Sequence, residues 1–131
     1  MPHFSIEYSA TLDGDLDMSE FRDCLRRTGI ETGVFPLAGI RVRALRCDAY
    51  AIADGDPQHG FVDIHVRLGK GRDLETRKTA TAQVCASAKA YLAQRVERPI
   101  GSTMEMRERY PELSPKYHTV REHLGPGRGH D

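Results

Sequence analysis

The sequence predicts an α+β fold in which two strand–helix–strand units build one four-stranded sheet with both helices on one face. Two observations carry that reading. Pro2 to Ser9, Ile40 to Cys47, Phe61 to Leu68 and Ser102 to Arg107 each alternate apolar and polar residues with a period of two. Between the members of each pair stands a segment whose apolar residues recur at helical spacing. Crossovers of this kind are nearly always right-handed and leave their two strands parallel. A chain of 131 residues suits one domain, expected over residues 1–124, with a disordered glycine- and proline-rich tail over 125–131.

The first strand sets Pro2, Phe4, Ile6 and Tyr8 on one side and His3, Ser5, Glu7 and Ser9 on the other. Asp13-Gly14-Asp15 breaks it. Asp17 followed by Glu20 resembles a capping box, and Met18, Phe21, Cys24 and Leu25 give the first helix its apolar stripe, which Gly29 is expected to end. Thr32-Gly33 and Pro36 mark a loop. The second strand places Ile40, Val42 and Ala44 opposite Arg41 and Arg43, and its phase slips at Leu45-Arg46, as at a bulge or a strand end. Asp54-Gly55-Asp56-Pro57 connects the halves. The third strand alternates from Phe61 to Leu68, and Gly69-Lys70-Gly71-Arg72 turns the chain into a long helix over about Asp73 to Val96. Leu74, Thr81, Val84, Cys85, Ala88, Tyr91 and Leu92 form its expected buried stripe. The fourth strand follows Pro99-Gly101, and beyond Pro111 and Pro115 no period is visible.

Nineteen basic residues balance nineteen acidic ones, so nothing points to nucleic acid or an anionic membrane as partner. No apolar run is long enough to span a bilayer, and the N-terminus lacks a signal-peptide pattern. Cys24, Cys47 and Cys85 are odd in number and widely spaced, and read as reduced, buried residues of a cytoplasmic protein. The six histidines show no metal-binding spacing, and no metal site is expected. A sheet with one face uncovered by helices invites self-association, and an oligomer is expected.

The chemical hint lies at the start. Removal of Met1 would leave Pro2 with a free secondary amine on a position fixed by the strand behind it. Such an amine, kept neutral by an apolar pocket, is a general base.

Met1-Pro2-His3-Phe4, the phrase Thr32-Gly33-Val34-Phe35-Pro36-Leu37-Ala38-Gly39-Ile40-Arg41, Ala53-Asp54-Gly55 and Gly69 to Arg77 carry a resemblance. Together they make the chain similar to the tautomerase superfamily, and within it to the 5-carboxymethyl-2-hydroxymuconate isomerases. The similarity runs through about residues 1–110. It implies a homotrimer whose sheets face a central axis and a site around Pro2. It further implies a cofactor-free proton shift in an unsaturated 2-hydroxy or 2-oxo polycarboxylate of homoprotocatechuate breakdown. In that reading Pro2 and Arg41 are catalytic, and Arg72, Phe35 and Arg43 bind the small carboxylate substrate. Arginine suits a carboxylate or a developing oxyanion because its planar fork stays charged and bonds bidentately. Arg41 and Arg43 also suit a solvated strand face, and the sequence does not distinguish which of the pair is the functional arginine. Lys70 reads as solvated, Phe4 as core, and His3 points away from Pro2. A decarboxylase or hydratase using the same proline, or a non-catalytic binding protein of this fold, fits the same residues.

Overall fold

The computed structural model describes residues 1–125. Strand β1 (His3–Ser9) leads through a 3-10 turn into helix α1 (Met18–Glu31) and strand β2 (Arg41–Cys47). Strand β3 (Gly60–Gly69), helix α2 (Leu74–Arg95) and strand β4 (Ile100–Arg109) repeat the pattern, and a short helix α3 (Val120–Leu124) follows. The sheet order is β2-β1-β3-β4. As the sequence predicts, β1 is parallel to β2 and β3 to β4; β1 and β3 meet antiparallel at the centre.

The alternation of β1 and β3 decides where the core sits. Phe4, Ile6 and Tyr8 of β1 and Val62, Ile64, Val66 and Leu68 of β3 are buried under both helices. Phe21 and Leu25 of α1, with Val84, Ala88, Tyr91 and Leu92 of α2, close over them. Burying one such side chain contributes about 1.5–3 kcal/mol. Asp17 caps α1 by accepting from the amides of Ser19 and Glu20 at 2.9 and 3.3 Å. Glu20 accepts from the Tyr91 hydroxyl at 2.9 Å and pairs with Arg95 at 3.2 Å, which ties α1 to α2.

The opposite face of the sheet carries rows of polar side chains. Arg41, His3, Arg67 and Arg107 stand side by side, then Arg43, Ser5, His65 and Glu105, then Leu45, Glu7, Asp63 and Thr103. His65 pairs with Asp63 at 2.7 Å, and Thr103 donates to the same carboxylate at 2.6 Å.

Several local expectations change. Helix α1 runs past Gly29 to Glu31. Gly29 serves packing: a Cβ there would lie 2.6 Å from Cδ1 of Ile40 and 3.2 Å from Cζ of Phe4. Strand β2 has no bulge, and its register runs unbroken to Cys47. Leu45 therefore lies on the open face, and Arg46, on the helix side of an edge strand, reaches Asp13 at 2.6 Å. In α2, Leu74 and Cys85 are exposed and Ala80 is buried instead. Cys24 and Cys47 are half-buried, and all three cysteines are free. Of the expected tail, Gly125 ends α3 with a φ of 85°, and residues 126–131 lie outside the described residues. Among the described residues no helix is long and apolar enough to cross a membrane.

Candidate active site

Pro2 precedes β1 by one residue and continues its inward phase, so it is buried beside the core. Its carbonyl accepts from the Arg41 amide at 3.1 Å, which extends the parallel β1–β2 ladder by one rung. The chain ahead of β2 forms a tight turn in which the Pro36 carbonyl accepts from the amides of Gly39 and Ile40 at 3.0 and 3.1 Å. A Cβ on Gly39 would lie 3.1 Å from Cδ of Pro2 and 3.3 Å from Cα of Met1. Glycine is thus what lets this turn close against the start of the chain. Phe35 is buried and meets Phe4 edge to face, with centroids 5.1 Å apart.

Two further segments converge here. The turn after β3 carries Arg72, whose Nε donates to the Val34 carbonyl at 3.1 Å and whose Nη1 reaches the Gly69 carbonyl at 3.5 Å. Gly71 adopts a φ of 129°, which only glycine tolerates easily. The end of β4 carries Arg109, and Lys70 Nζ lies 4.1 Å from the centroid of the Tyr110 ring. This cation–π contact holds the departing chain against the β3–α2 turn.

Between these segments lies a cavity of about 340 Å³. Pro2, Phe35, Pro36 and Gly39 form one wall, and Leu68, Gly69 and Arg72 another. The remaining side is basic, with Arg109, Lys116, His118 and Arg121. No aspartate or glutamate lines it among the described residues. The terminal amine, on Met1, is lowered to about 6, first by burial and then by the charges of Arg109, Lys116, Arg41 and Arg72. Arg109 is itself pushed down by burial and by Arg67 and Arg41, a mark of crowded positive charge.

The structure brings Pro2, Phe35 and Arg72 together as cavity walls. Arg41 adjoins them: its Nη1 donates to the Gly39 carbonyl at 2.7 Å, and its charge acts on the terminal amine. Arg43 does not line the cavity. It lies on the open sheet face and donates to Nδ1 of His3 at 3.1 Å. Because guanidinium only donates, His3 holds its proton on Nε2. Its pKa is lowered to about 4, by burial first and then by Arg43 and its neighbours, so it is neutral near pH 7. Lys70, expected in solvent, also lines the cavity.

With this geometry in view, the similarities to known proteins are decisive. Residues 2–124 match the family described as 5-carboxymethyl-2-hydroxymuconate isomerase. The chain belongs to this family. The 5-carboxymethyl-2-hydroxymuconate isomerase family is one of isomerases, and this member is an isomerase. The 5-carboxymethyl-2-hydroxymuconate Delta-isomerase of Escherichia coli is 34% identical over 123 residues, spanning 92% of this chain and 96% of that protein. A crystal structure of a 5-carboxymethyl-2-hydroxymuconate isomerase from Deinococcus radiodurans R1 superposes with a TM-score of 0.85 at 26% identity, covering 94% of this chain and 93% of that one. A second family structure, a 5-carboxymethyl-2-hydroxymuconate delta-isomerase, gives 0.87 at 30% identity, over 98% and 95% of the two chains. The duplicated fold predicted from the sequence is therefore that of the tautomerase superfamily, as the resemblance implied.

The basic residues after β4 are the part of the cavity that sequence reasoning missed. Lys116, His118 and Arg121 stand in a stretch without period, where Glu112 and Glu122 balance Lys116 and Arg121, so no local charge signal marks them.

Proposed function

We propose that this chain, with Met1 removed, isomerises an unsaturated 2-hydroxy polycarboxylate of the 5-carboxymethyl-2-hydroxymuconate type, with the Pro2 amine as base. The observation that carries the proposal is the start of the chain lying in a cavity ringed by cations and free of carboxylates among the described residues. Removing Met1 puts the Pro2 nitrogen at the chain terminus beside the same cations. Burial and those charges favour the neutral amine, which is the form that accepts a proton.

The reaction is redox-neutral and needs no electron carrier. The Pro2 nitrogen takes the 2-hydroxyl proton, the dienolate redistributes its charge, and the proton returns at a distal carbon. The product is the 2-oxo acid with one double bond displaced. Arg41, locked on the turn beside Pro2, stabilises the negative charge developing on the 2-oxygen. Arg72, tied to backbone by Nε and Nη1, keeps Nη2 for a substrate carboxylate. Phe35 supplies an apolar wall. Arg43, engaged with His3, takes no part in this scheme.

Steady-state kinetics with the dienol, followed by ultraviolet absorbance, test the proposal. Charge-assisted hydrogen bonds are worth roughly 1.5–3 kcal/mol. Arg41→Ala and Arg72→Ala should therefore each lose about tenfold to a hundredfold in kcat/KM. The Arg41 loss should fall on kcat and the Arg72 loss on KM. Lysine at either site should restore only part, keeping charge without the fork. Folded alanine variants with parental kcat/KM would remove both arginines from the site.

The open sheet face supports assembly as a homotrimer. It is uncovered in the single chain, and Leu45 stands on it 46% exposed. Light scattering should return three times the chain mass. A monomer mass at working concentration would refute this assembly.

A further inference from the structure

The segment after β4 covers one side of the cavity, and it carries two buried nitrogens that nothing among the described residues satisfies. Among the described residues, Nδ1 of His118 and Nε of Arg121 are shielded from solvent and have no hydrogen-bond partner. Both side chains line the cavity that holds Pro2. They stand three residues apart, on either side of Thr119, which precedes α3. Contacts on either side tie this segment down. Lys70 on Tyr110 anchors its start, and the amides of Leu113, Ser114 and His123 close successive turns at 3.0, 3.2 and 3.2 Å.

Unpaired buried donors are costly, and a guanidinium donor more so. Both side chains line a cavity with basic residues and no acidic residue among its described walls, a setting suited to an anionic ligand. His118 and Arg121 belong to the segment after β4 and not to the strand start and turn that carry Pro2, Phe35 and Gly39.

Resting on the isomerase reading above, we infer that His118 and Arg121 form a subsite for a carboxylate remote from the reacting carbons. They make the enzyme selective for dienols with an additional side-chain carboxylate over simple 2-hydroxy-dienedioates. A shorter acid leaves this basic subsite without an acceptor, which is how a polar subsite discriminates most strongly. His118 and Arg121 are specificity residues and touch no reacting atom.

The test compares the full chain with Arg121→Gln, Arg121→Lys and His118→Asn on two substrates. 5-Carboxymethyl-2-hydroxymuconate has the extra carboxylate; 2-hydroxymuconate lacks it. Loss of a charge-assisted bond should lower the ratio of kcat/KM values, first over second, by roughly tenfold to a hundredfold in Arg121→Gln, chiefly through KM. His118→Asn should move it less and in the same direction, and Arg121→Lys should recover part. Calorimetric binding of propane-1,2,3-tricarboxylate against pentanedioate reads the same subsite without turnover. A parent that turns over both dienols while Arg121→Gln leaves the ratio unchanged overturns the subsite and spares the isomerase reading. A parent that turns over neither, yet prefers the tricarboxylate in a way Arg121→Gln abolishes, overturns the isomerase reading and supports the subsite. Equal loss on both ligands also overturns the subsite.

Discussion

Protein that retains Met1 is expected to be inactive, and removal of that one residue is expected to switch the chemistry on. With Met1 present, the Pro2 nitrogen is a tertiary amide whose lone pair is delocalised into the carbonyl, and it cannot take a proton. Met1 also occupies the cavity wall. A positioned base contributes roughly a hundredfold to ten-thousandfold, and the retained form should lose at least that much. Mass spectrometry of the intact protein, paired with the absorbance assay, measures both states. Pro2→Ala should be impaired and not dead, because a trimmed alanine supplies a primary amine held less firmly. Parental activity in Pro2→Ala, or full activity with Met1 in place, would remove Pro2 from the mechanism. The pH profile has a definite sign. The base works neutral, so kcat/KM falls as pH drops through the amine pKa and levels off above it. Burial first and then neighbouring cations lower the Met1 amine to about 6, and on the proposed chemistry the same surroundings act on the Pro2 amine that replaces it. The acid limb should accordingly lie below the ordinary α-amino range of ~7.7–8.0. A midpoint above that range would contradict the electrostatic picture.

Phe4→Ala should cost about 3–5 kcal/mol of stability, a large share of the ~5–15 kcal/mol that holds a typical domain folded. Phe4 is fully buried, lies edge to face on Phe35 and fills the space that Gly29 leaves beside it. Its loss opens a cavity under the β1 start and withdraws support from one wall of the site. Urea unfolding at fixed chain concentration should show the midpoint falling with the slope unchanged. A cost below about 1 kcal/mol would mean that the site collapses freely around the smaller residue, contrary to its packing.

The sheet was legible because each strand follows a period-two pattern over enough residues to fix which side faces the helices. Gly29 shows where such reading fails. A glycine near the end of a helical pattern resembles a stop signal, and only the approach of Ile40 and Phe4 reveals a packing role. Leu45 and Arg46 misled for a related reason: on an edge strand with a polar open face, an outward leucine and a helix-side arginine carry little penalty. The α2 stripe was misjudged at Leu74 and Cys85, because small residues such as Ala80 take much of the contact with the sheet. At the site, Arg41 and Arg72 could be nominated because they fall in phrases shared with a family. His118 and Arg121 could not, since what marks them is a cavity they share with residues such as Pro2 and Arg72, and no local pattern encodes that.

The two halves of the chain repeat one architecture, yet on the proposed chemistry they cannot repeat one reaction. Strand β1 begins beside a chain terminus; β3 begins inside the chain, where the amides of His59 and Gly60 are spent on the carbonyls of Asp56 and Pro99 at 3.2 and 2.9 Å. Duplication copies strands, helices and even charge, but a main-chain amine exists only where a polypeptide starts. On the proposed chemistry, the stoichiometry of working centres equals the number of chains and not the number of β-α-β units.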